Sequence, residues 1–93
     1  MEFEWDELKE RVNFQKHKIT FVESIETFYD PHGIKLIDHG HSISELRYFW
    51  VGKLQNNRVL TTWFTERDGK IRIIGCAEWR KFRRIYNETA QIK

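Results

Sequence analysis

The sequence predicts an α+β domain with two N-terminal helices, an antiparallel sheet of about four strands plus a short N-terminal edge strand, and a basic C-terminal helix. Three observations support this prediction. Apolar residues recur at helical spacing near both ends of the chain, residues 34–76 are rich in aromatic and β-branched segments, and Asp68-Gly69 is a strong hairpin signal. The 93 residues contain no linker or internal repeat, so we expect a single domain over residues 1–93.

The N-terminal segment is predicted to be a strand followed by a helix. Residues 1–5 (MEFEW) alternate apolar and acidic side chains, which is typical of a short edge strand. Asp6 is suited to cap a helix that continues to about Lys16. The apolar residues at helical spacing in this segment are Trp5, Leu8 and Val12.

A capping-box pattern opens the second predicted helix. Thr20 and Glu23 stand three positions apart, so that each side chain can bond the other residue's backbone N–H. Residues 30–33 (DPHG) end this helix and turn the chain. We expect its inner side to consist of Val22, Ile25 and Phe28.

Four strands are predicted to follow the helices. Their ranges are 34–38, 46–53, 59–66 and 70–76. A two-residue turn at Asp68-Gly69 pairs Arg67 with Lys70 and Thr65 with Arg72. Because residues two apart share a face of a strand, one face is predicted to carry Trp63, Thr65, Arg67, Lys70, Arg72 and Ile74. The opposite face, which we expect the helices to cover, carries Phe64, Ile71 and Ile73.

The C-terminal helix is predicted to be amphipathic. Its apolar face consists of Trp79, Phe82, Ile85 and Tyr86, and its basic face consists of Arg80, Lys81, Arg83 and Arg84. From Arg67 to Arg84 there are seven basic residues and two acidic ones, whereas the first ten residues hold five acidic residues and one lysine. This distribution predicts a positive field that is suited to a polyanion. Alternatively, the basic residues are solvated side chains on exposed faces.

Composition argues against several classes of protein. The single cysteine, Cys76, allows no intrachain disulfide, and we expect it to be a small buried apolar residue. No apolar run reaches the length that spans a membrane, and the acidic start is unlike a signal peptide, so we expect a cytoplasmic protein without a membrane partner. His39 and His41 beside Asp38 suggest a metal site, but such spacing in a polar loop is more often solvent-exposed. We expect no metal and no cofactor.

Short motifs that follow one another along nearly the whole chain resemble those of a known family. They are Phe3-Glu4-Trp5-Asp6, Asn13-Phe14-Gln15-Lys16-His17, Ile19-Thr20-Phe21, Phe28 before Asp30-Pro31, Glu45-Leu46-Arg47, Gly52, Thr65-Glu66-Arg67, Arg72-Ile73-Ile74, and Trp79-Arg80-Lys81 through Arg83 to Tyr86. In this order they resemble the BrnT-type toxins, small ribonuclease toxins of bacterial type II toxin–antitoxin systems with a RelE-like fold.

The resemblance implies a metal-independent endoribonuclease that blocks translation by cutting RNA. It also implies a small cognate antitoxin, BrnA-like and of the ribbon-helix-helix type, which neutralises the toxin. Toxin and antitoxin would repress their own promoter together, so that operator DNA is bound only by the complex.

Metal-free RNA cleavage needs a base, an acid and positive charge at the transition state. Arginine suits the last task because it stays charged. The candidate catalytic residues are His17, Arg67, Arg72 and Arg80. The candidate RNA-binding residues are Lys16, Arg47, Lys70, Lys81, Arg83 and Arg84, of which Arg47 can project to either face.

Other roles remain open for several of these residues. His17 is predicted to be a base or an acid, or alternatively to cap the carbonyls at the end of its helix. Tyr86 can donate a proton, although its place on the apolar helix face favours packing. For the whole chain, the alternatives to a ribonuclease are a non-catalytic nucleic-acid-binding module and a partner-binding protein that use the same surface.

Overall fold

The computed structural model describes residues 1–41 and 43–92, the last two of them by their backbone alone. In chain order, the elements are β1 (Glu2–Trp5), α1 (Glu7–His17), α2 (Phe21–Thr27), β2 (Ile34–Ile37), a 3₁₀ turn (His39–His41), β3 (Arg47–Lys53), β4 (Val59–Arg67), β5 (Lys70–Ala77) and α3 (Arg80–Ile92). The predicted α+β class is confirmed, and the boundaries of the four predicted strands hold to within one residue. Within the described residues, no helix is long and apolar enough to cross a membrane.

The five strands form one mixed sheet in the order β1-β5-β4-β3-β2. Strands β2 to β5 pair antiparallel, whereas β1 pairs parallel to β5, with Glu2 opposite Lys70 and Glu4 opposite Arg72. The sequence predicted an N-terminal edge strand but not its neighbour. This pairing places the acidic N-terminus directly beside the basic hairpin.

Apolar side chains form a core on each face of the sheet. Under α1 and α2 the buried residues are Ile19, Phe21, Leu54, Leu60, Ile73 and Cys76. Under α3 they are Val51, Val59 and Tyr86. The two predicted caps are confirmed: the Asp6 side chain accepts from the N–H groups of Leu8 and Lys9, and Thr20 and Glu23 form the capping box. The prediction for Val22 was wrong, since it is 63% exposed: it follows the first helical residue and lies on the outer side of a short helix.

The β4–β5 hairpin has the predicted register near its turn. Arg67 pairs with Lys70 and Thr65 with Arg72, and Asp68 and Gly69 both have positive φ angles, as a type I′ turn requires. Further from the turn the register shifts, so that Gly75 rather than Ile74 is paired with Trp63. A β-bulge of this kind adds one residue to a strand and changes which side chains share a face. The sequence did not predict this shift, although Ile74 and Trp63 still line one groove.

The side chain of Asn13 continues the sheet where β1 ends. Its Nδ2 donates to the Cys76 carbonyl at 2.9 Å, and its Oδ1 accepts from the Cys76 N–H at 3.1 Å. Asn13 is buried, and it thereby gives the edge of β5 the two bonds that a neighbouring strand would provide. Helix α1 thus directs a polar side chain toward the sheet, which anchors His17, four residues later, over the same edge.

We expect Asn13→Ala to destabilise the fold by about 3 kcal/mol, because it leaves a buried N–H and a buried carbonyl without partners. Urea denaturation measures this change. The matched control is Gln15→Ala, on the exposed side of the same helix, which should shift the free energy of unfolding by less than about 0.5 kcal/mol. Equal stability of the two variants would contradict the edge-pairing role of Asn13.

Candidate functional site

Each arginine of the β4–β5 hairpin is held by a carboxylate. Arg67 donates from Nε and Nη2 to Oε2 and Oε1 of Glu45 at 3.2 and 2.9 Å. Arg72 donates from Nη1 to Oε2 of Glu4 at 3.1 Å. The hydrogen bond from Arg67 is the main cause that lowers the pKa of Glu45, so this carboxylate stays ionised near neutral pH. These contacts hold both guanidinium groups in place over the sheet.

Lys70 belongs to the same charged cluster. Its Nζ lies 3.9 Å from a Glu2 oxygen and 4.0 Å from a Glu4 oxygen. The acidic N-terminus and the basic hairpin, which the sequence separates by more than sixty positions, are thus neighbours in space. The positive field that the charge count predicted is partly neutralised over the hairpin.

Next to this charged cluster, aromatic rings lie on the face of the sheet that α3 covers, here called the α3 face. Trp63 and Trp79 stack with centroids 4.9 Å apart and an interplanar angle of 4°. Phe49, paired with Trp63 across β3 and β4, contacts Trp79 edge-on at 6.1 Å. Gly75 makes room for this cluster, because a Cβ there would lie only 2.1 Å from Cζ2 of Trp63. The ring of Trp63 therefore rests directly on the backbone of β5.

His17 reaches the aromatic cluster from the opposite side. Its ring meets Trp63 edge-on, with centroids 6.3 Å apart and an angle of 87°. A groove of about 330 Å³ runs beside this contact and is lined by Leu8, Lys9, Val12, Asn13, Lys16, His17, Trp63 and Ile74. Trp63 thus lies between the end of α1 and the start of α3.

The basic residues of α3 are arranged differently from those of the hairpin. Arg80, Lys81, Arg83 and Arg84 are all exposed. None of these four takes part in an ion pair among the described residues. Cations in the first turn of a helix oppose its dipole, and α3 has no acidic residue there. The uncompensated positive charge of this face is therefore concentrated at the start of α3.

The structure brings most of the predicted site residues to one face, although to different parts of it. Arg72, Arg67 and Lys70 lie on the hairpin, and Arg47 pairs with Thr65 beside them. His17 and Lys16 lie on the groove side of Trp63, and Arg80 follows Trp79 in sequence. The aromatic cluster separates the hairpin arginines from the cations further along α3, which are Lys81, Arg83 and Arg84.

Tyr86, Cys76 and His41 each make a contact within the fold. Tyr86 is 2% exposed and its Oη donates to Asp30 Oδ2 at 2.5 Å; burial and this bond raise its pKa, which favours packing over proton donation. Burial raises the pKa of the Cys76 thiol to about 12, so it is not a nucleophile near neutral pH. His41 contacts Asp38 at 3.0 Å. Within the described residues, no group of His, Cys, Asp and Glu side chains is arranged to hold a metal ion.

Sequence reasoning missed the carboxylates and the tryptophan pair of this face. Glu4 and Glu45 lie far from their arginine partners in sequence, and only the pairing of β1 with β5 brings Glu4 into place. Trp79 was assigned to helix packing, but it precedes α3 and stacks on Trp63. The feature of the sequence that could have indicated this tryptophan cluster is Gly75, because a glycine within a strand often marks a close approach by another group.

Comparisons with known proteins agree with this fold. Residues 5–82 match a family model described as ribonuclease toxin, BrnT, of type II toxin–antitoxin system. Among solved structures, the chain is similar to the crystal structure of the Brucella abortus ribonuclease toxin BrnT, with 16% identity and a TM-score of 0.67. The match covers 85% of this chain and 96% of that one, and at this identity it shows the fold alone. No curated protein gives a significant match.

Proposed function

Because this chain belongs to the BrnT family of ribonuclease toxins of type II toxin–antitoxin systems, we propose that it cuts RNA without a metal ion on the α3 face of its sheet. The observation that carries this proposal is the position of Trp63, which contacts His17 from the first helix and Trp79 immediately before the last. One aromatic surface thereby joins an imidazole, which can accept or donate a proton, to the arginines at the start of α3. Single-stranded RNA can lie across such a surface by stacking its bases.

The proposed reaction is internal transesterification of RNA. The ribose 2′-oxygen loses its proton and attacks the adjacent phosphorus, the bond to the 5′-oxygen breaks, and that oxygen takes up a proton. The products are a 2′,3′-cyclic phosphate and a 5′-hydroxyl. His17 acts as the acid or the base, since a neutral imidazole accepts the proton and an imidazolium donates it.

Arginines stabilise the negative charge that develops on the phosphate oxygens. In our proposal, the arginines with this role are Arg72, Arg67 and Arg80. Of the two hairpin arginines, Arg72 lies nearer to Trp63 along the paired strands. Glu4 and Glu45 hold Arg72 and Arg67 in fixed orientations, so that less reorganisation is needed when the phosphate arrives. The flanking strand is bound by Lys16, Arg47, Lys70, Lys81, Arg83 and Arg84.

The remaining proposals concern partners and regulation. A cognate antitoxin is implied by the family, and we propose that it is a small ribbon-helix-helix protein, BrnA-like, encoded beside this chain. It neutralises the toxin, and the pair represses its own promoter, the operator DNA being bound by the complex alone. Because its proposed targets are RNAs in translation, the site of action is the cytoplasm.

A second candidate function is a non-catalytic nucleic-acid-binding module. The observation that favours it is the pairing of Arg67 and Arg72 with carboxylates, which is also typical of a structural surface. An RNA-cleavage assay distinguishes the two functions directly, because only the ribonuclease cuts RNA.

We expect the purified chain to cut single-stranded RNA in excess EDTA, leaving 2′,3′-cyclic phosphate ends, because the proposed chemistry uses only side chains. Mapping of RNA ends measures this, and expression in bacteria with and without the adjacent small gene tests neutralisation. His17→Ala should abolish cleavage, whereas His32→Ala, at an exposed turn, should retain it. A folded parental chain that leaves RNA intact and cells growing would contradict the proposal.

A further inference from the structure

A recess of about 240 Å³ lies where β5 leads into α3. Its lining residues are Glu78, Trp79, Arg80 and Arg83. The four combine the groups that a nucleotide needs: an aromatic plane, two guanidinium groups and a hydrogen-bond acceptor. Together they offer three kinds of contact to one ligand.

Trp79 supplies a rigid and partly open aromatic surface. Trp63 stacks on it at 4.9 Å, so that its ring is fixed without a ligand. The residue is nevertheless 37% exposed, a large fraction for a tryptophan that contacts three other rings. An exposed, pre-positioned indole in a recess is suited to stack one nucleobase.

Arg80 and Arg83 supply positive charge in the same recess. Both are exposed, and neither forms an ion pair among the described residues, in contrast to Arg67 and Arg72 of the hairpin. Binding a phosphate therefore requires no protein carboxylate to be displaced. Guanidinium groups bind phosphate oxygens through paired hydrogen bonds.

Glu78 has one oxygen engaged and one oxygen available. Its Oε1 accepts from Nε and Nη2 of Arg58 at 3.2 and 2.7 Å. Its Oε2 accepts no hydrogen bond from the described residues, and the side chain is 43% exposed. Arg58 thus orients a carboxylate whose second oxygen remains available to a ligand in the recess.

We propose that this recess binds one guanine nucleotide of the RNA substrate and so sets a base preference for the ribonuclease. The base stacks on Trp79, Arg80 and Arg83 bind the phosphate, and Glu78 accepts from the Watson–Crick edge of the base. Guanine suits a carboxylate because N1–H and the 2-amino group are adjacent donors. Adenine, cytosine and uracil each place an acceptor next to their donor on that edge. The inference rests on the proposed function for its substrate, RNA.

The test uses labelled single-stranded 2′-O-methyl oligonucleotides of uridine with one central purine, which this chemistry leaves uncut. In fluorescence anisotropy, we expect the guanine probe to bind about tenfold more tightly than the inosine and adenine probes, since inosine lacks the 2-amino donor. A 7-deazaguanine probe should bind like guanine, because it keeps the Watson–Crick donors. If the arginines read O6 and N7 instead, this last probe would bind weakly and the role of Glu78 would be wrong.

Substitutions of recess residues test whether the recess causes the preference for guanine. Glu78→Ala should equalise the guanine and adenine probes without weakening the adenine probe, a result that general destabilisation would not give. Trp79→Ala should weaken all probes by about tenfold or more. Glu7→Ala, which removes an exposed carboxylate from α1, should leave the preference unchanged.

Equal binding of guanine and inosine by the parental chain, or no binding of any probe, would overturn the inference. Cleavage of unmodified RNA is scored separately. RNA cut without a guanine preference refutes the recess alone, whereas a guanine preference without cleavage refutes the ribonuclease proposal alone.

Discussion

Arg72→Ala is expected to lower the rate of RNA cleavage by about two to three orders of magnitude while the chain stays folded. Arg72 and Glu4 are each about one-third exposed, and an ion pair of this kind contributes about 1 kcal/mol or less to stability. We therefore expect the loss of the guanidinium to act mainly on the charged transition state of the proposed reaction. Single-turnover cleavage of a labelled RNA measures the rate, and urea denaturation confirms the fold.

Two further variants isolate the cause of this loss. Arg72→Ala also leaves Glu4 without its arginine, which adds repulsion toward RNA, so the double variant Glu4→Gln, Arg72→Ala tests that contribution. We expect it to remain about as slow as the single variant. Lys35→Ala removes a cation that is paired with Glu66 at 3.0 Å elsewhere on the sheet, and its cleavage rate should match the parent. A rate for Arg72→Ala within about threefold of Lys35→Ala would place the catalytic charge elsewhere.

Local chemistry made the hairpin predictable from sequence. Asp68 and Gly69 favour positive φ angles, and that turn fixes the pairing of Arg67 with Lys70 and of Thr65 with Arg72. Caps were predictable for the same reason, because Thr20 and Glu23 interact within one turn of helix. These interactions join residues that are close in sequence.

Contacts between distant segments were not predictable in the same way. The pairing of β1 with β5 brings Glu4 to Arg72 across 68 positions, and nothing in residues 1–5 specifies which strand they join. The charge count therefore overstated the positive field of the hairpin. The bulge before Gly75 was also not predictable, and its single inserted residue changes the register of the side chains beyond it.

Helix α1 contacts the sheet through a polar side chain rather than through the apolar residues at helical spacing. Leu8 and Val12 lie at helical spacing, yet both are more than half exposed and line the groove. The side chain that faces the sheet is Asn13, which bonds both backbone groups of Cys76. An asparagine in a helix is usually read as a solvent-facing residue, so its role as an edge cap appears only when β5 is in place.

Gly75→Ala is expected to disrupt the fold and the candidate site together. The added Cβ would lie 2.1 and 2.2 Å from Cζ2 and Cε2 of Trp63, and a rigid indole can relieve this only by moving as a whole. Overpacking of this kind costs about 1 to 3 kcal/mol. Because Trp63 contacts both His17 and Trp79, its displacement should also weaken RNA binding and alter the near-UV circular dichroism.

The control for this substitution is Gly40→Ala, where the nearest heavy atom to an added Cβ is an Asp38 oxygen at 3.7 Å. It should change the free energy of unfolding by less than about 0.5 kcal/mol. Adding Trp63→Phe to Gly75→Ala replaces the indole with a smaller ring, and we expect it to recover part of the stability. RNA binding should stay weak in the double variant, because Trp79 then lacks the full indole on which it stacks. If Gly75→Ala instead matches Gly40→Ala in both stability and RNA affinity, the close approach of Trp63 to β5 does not organise the site.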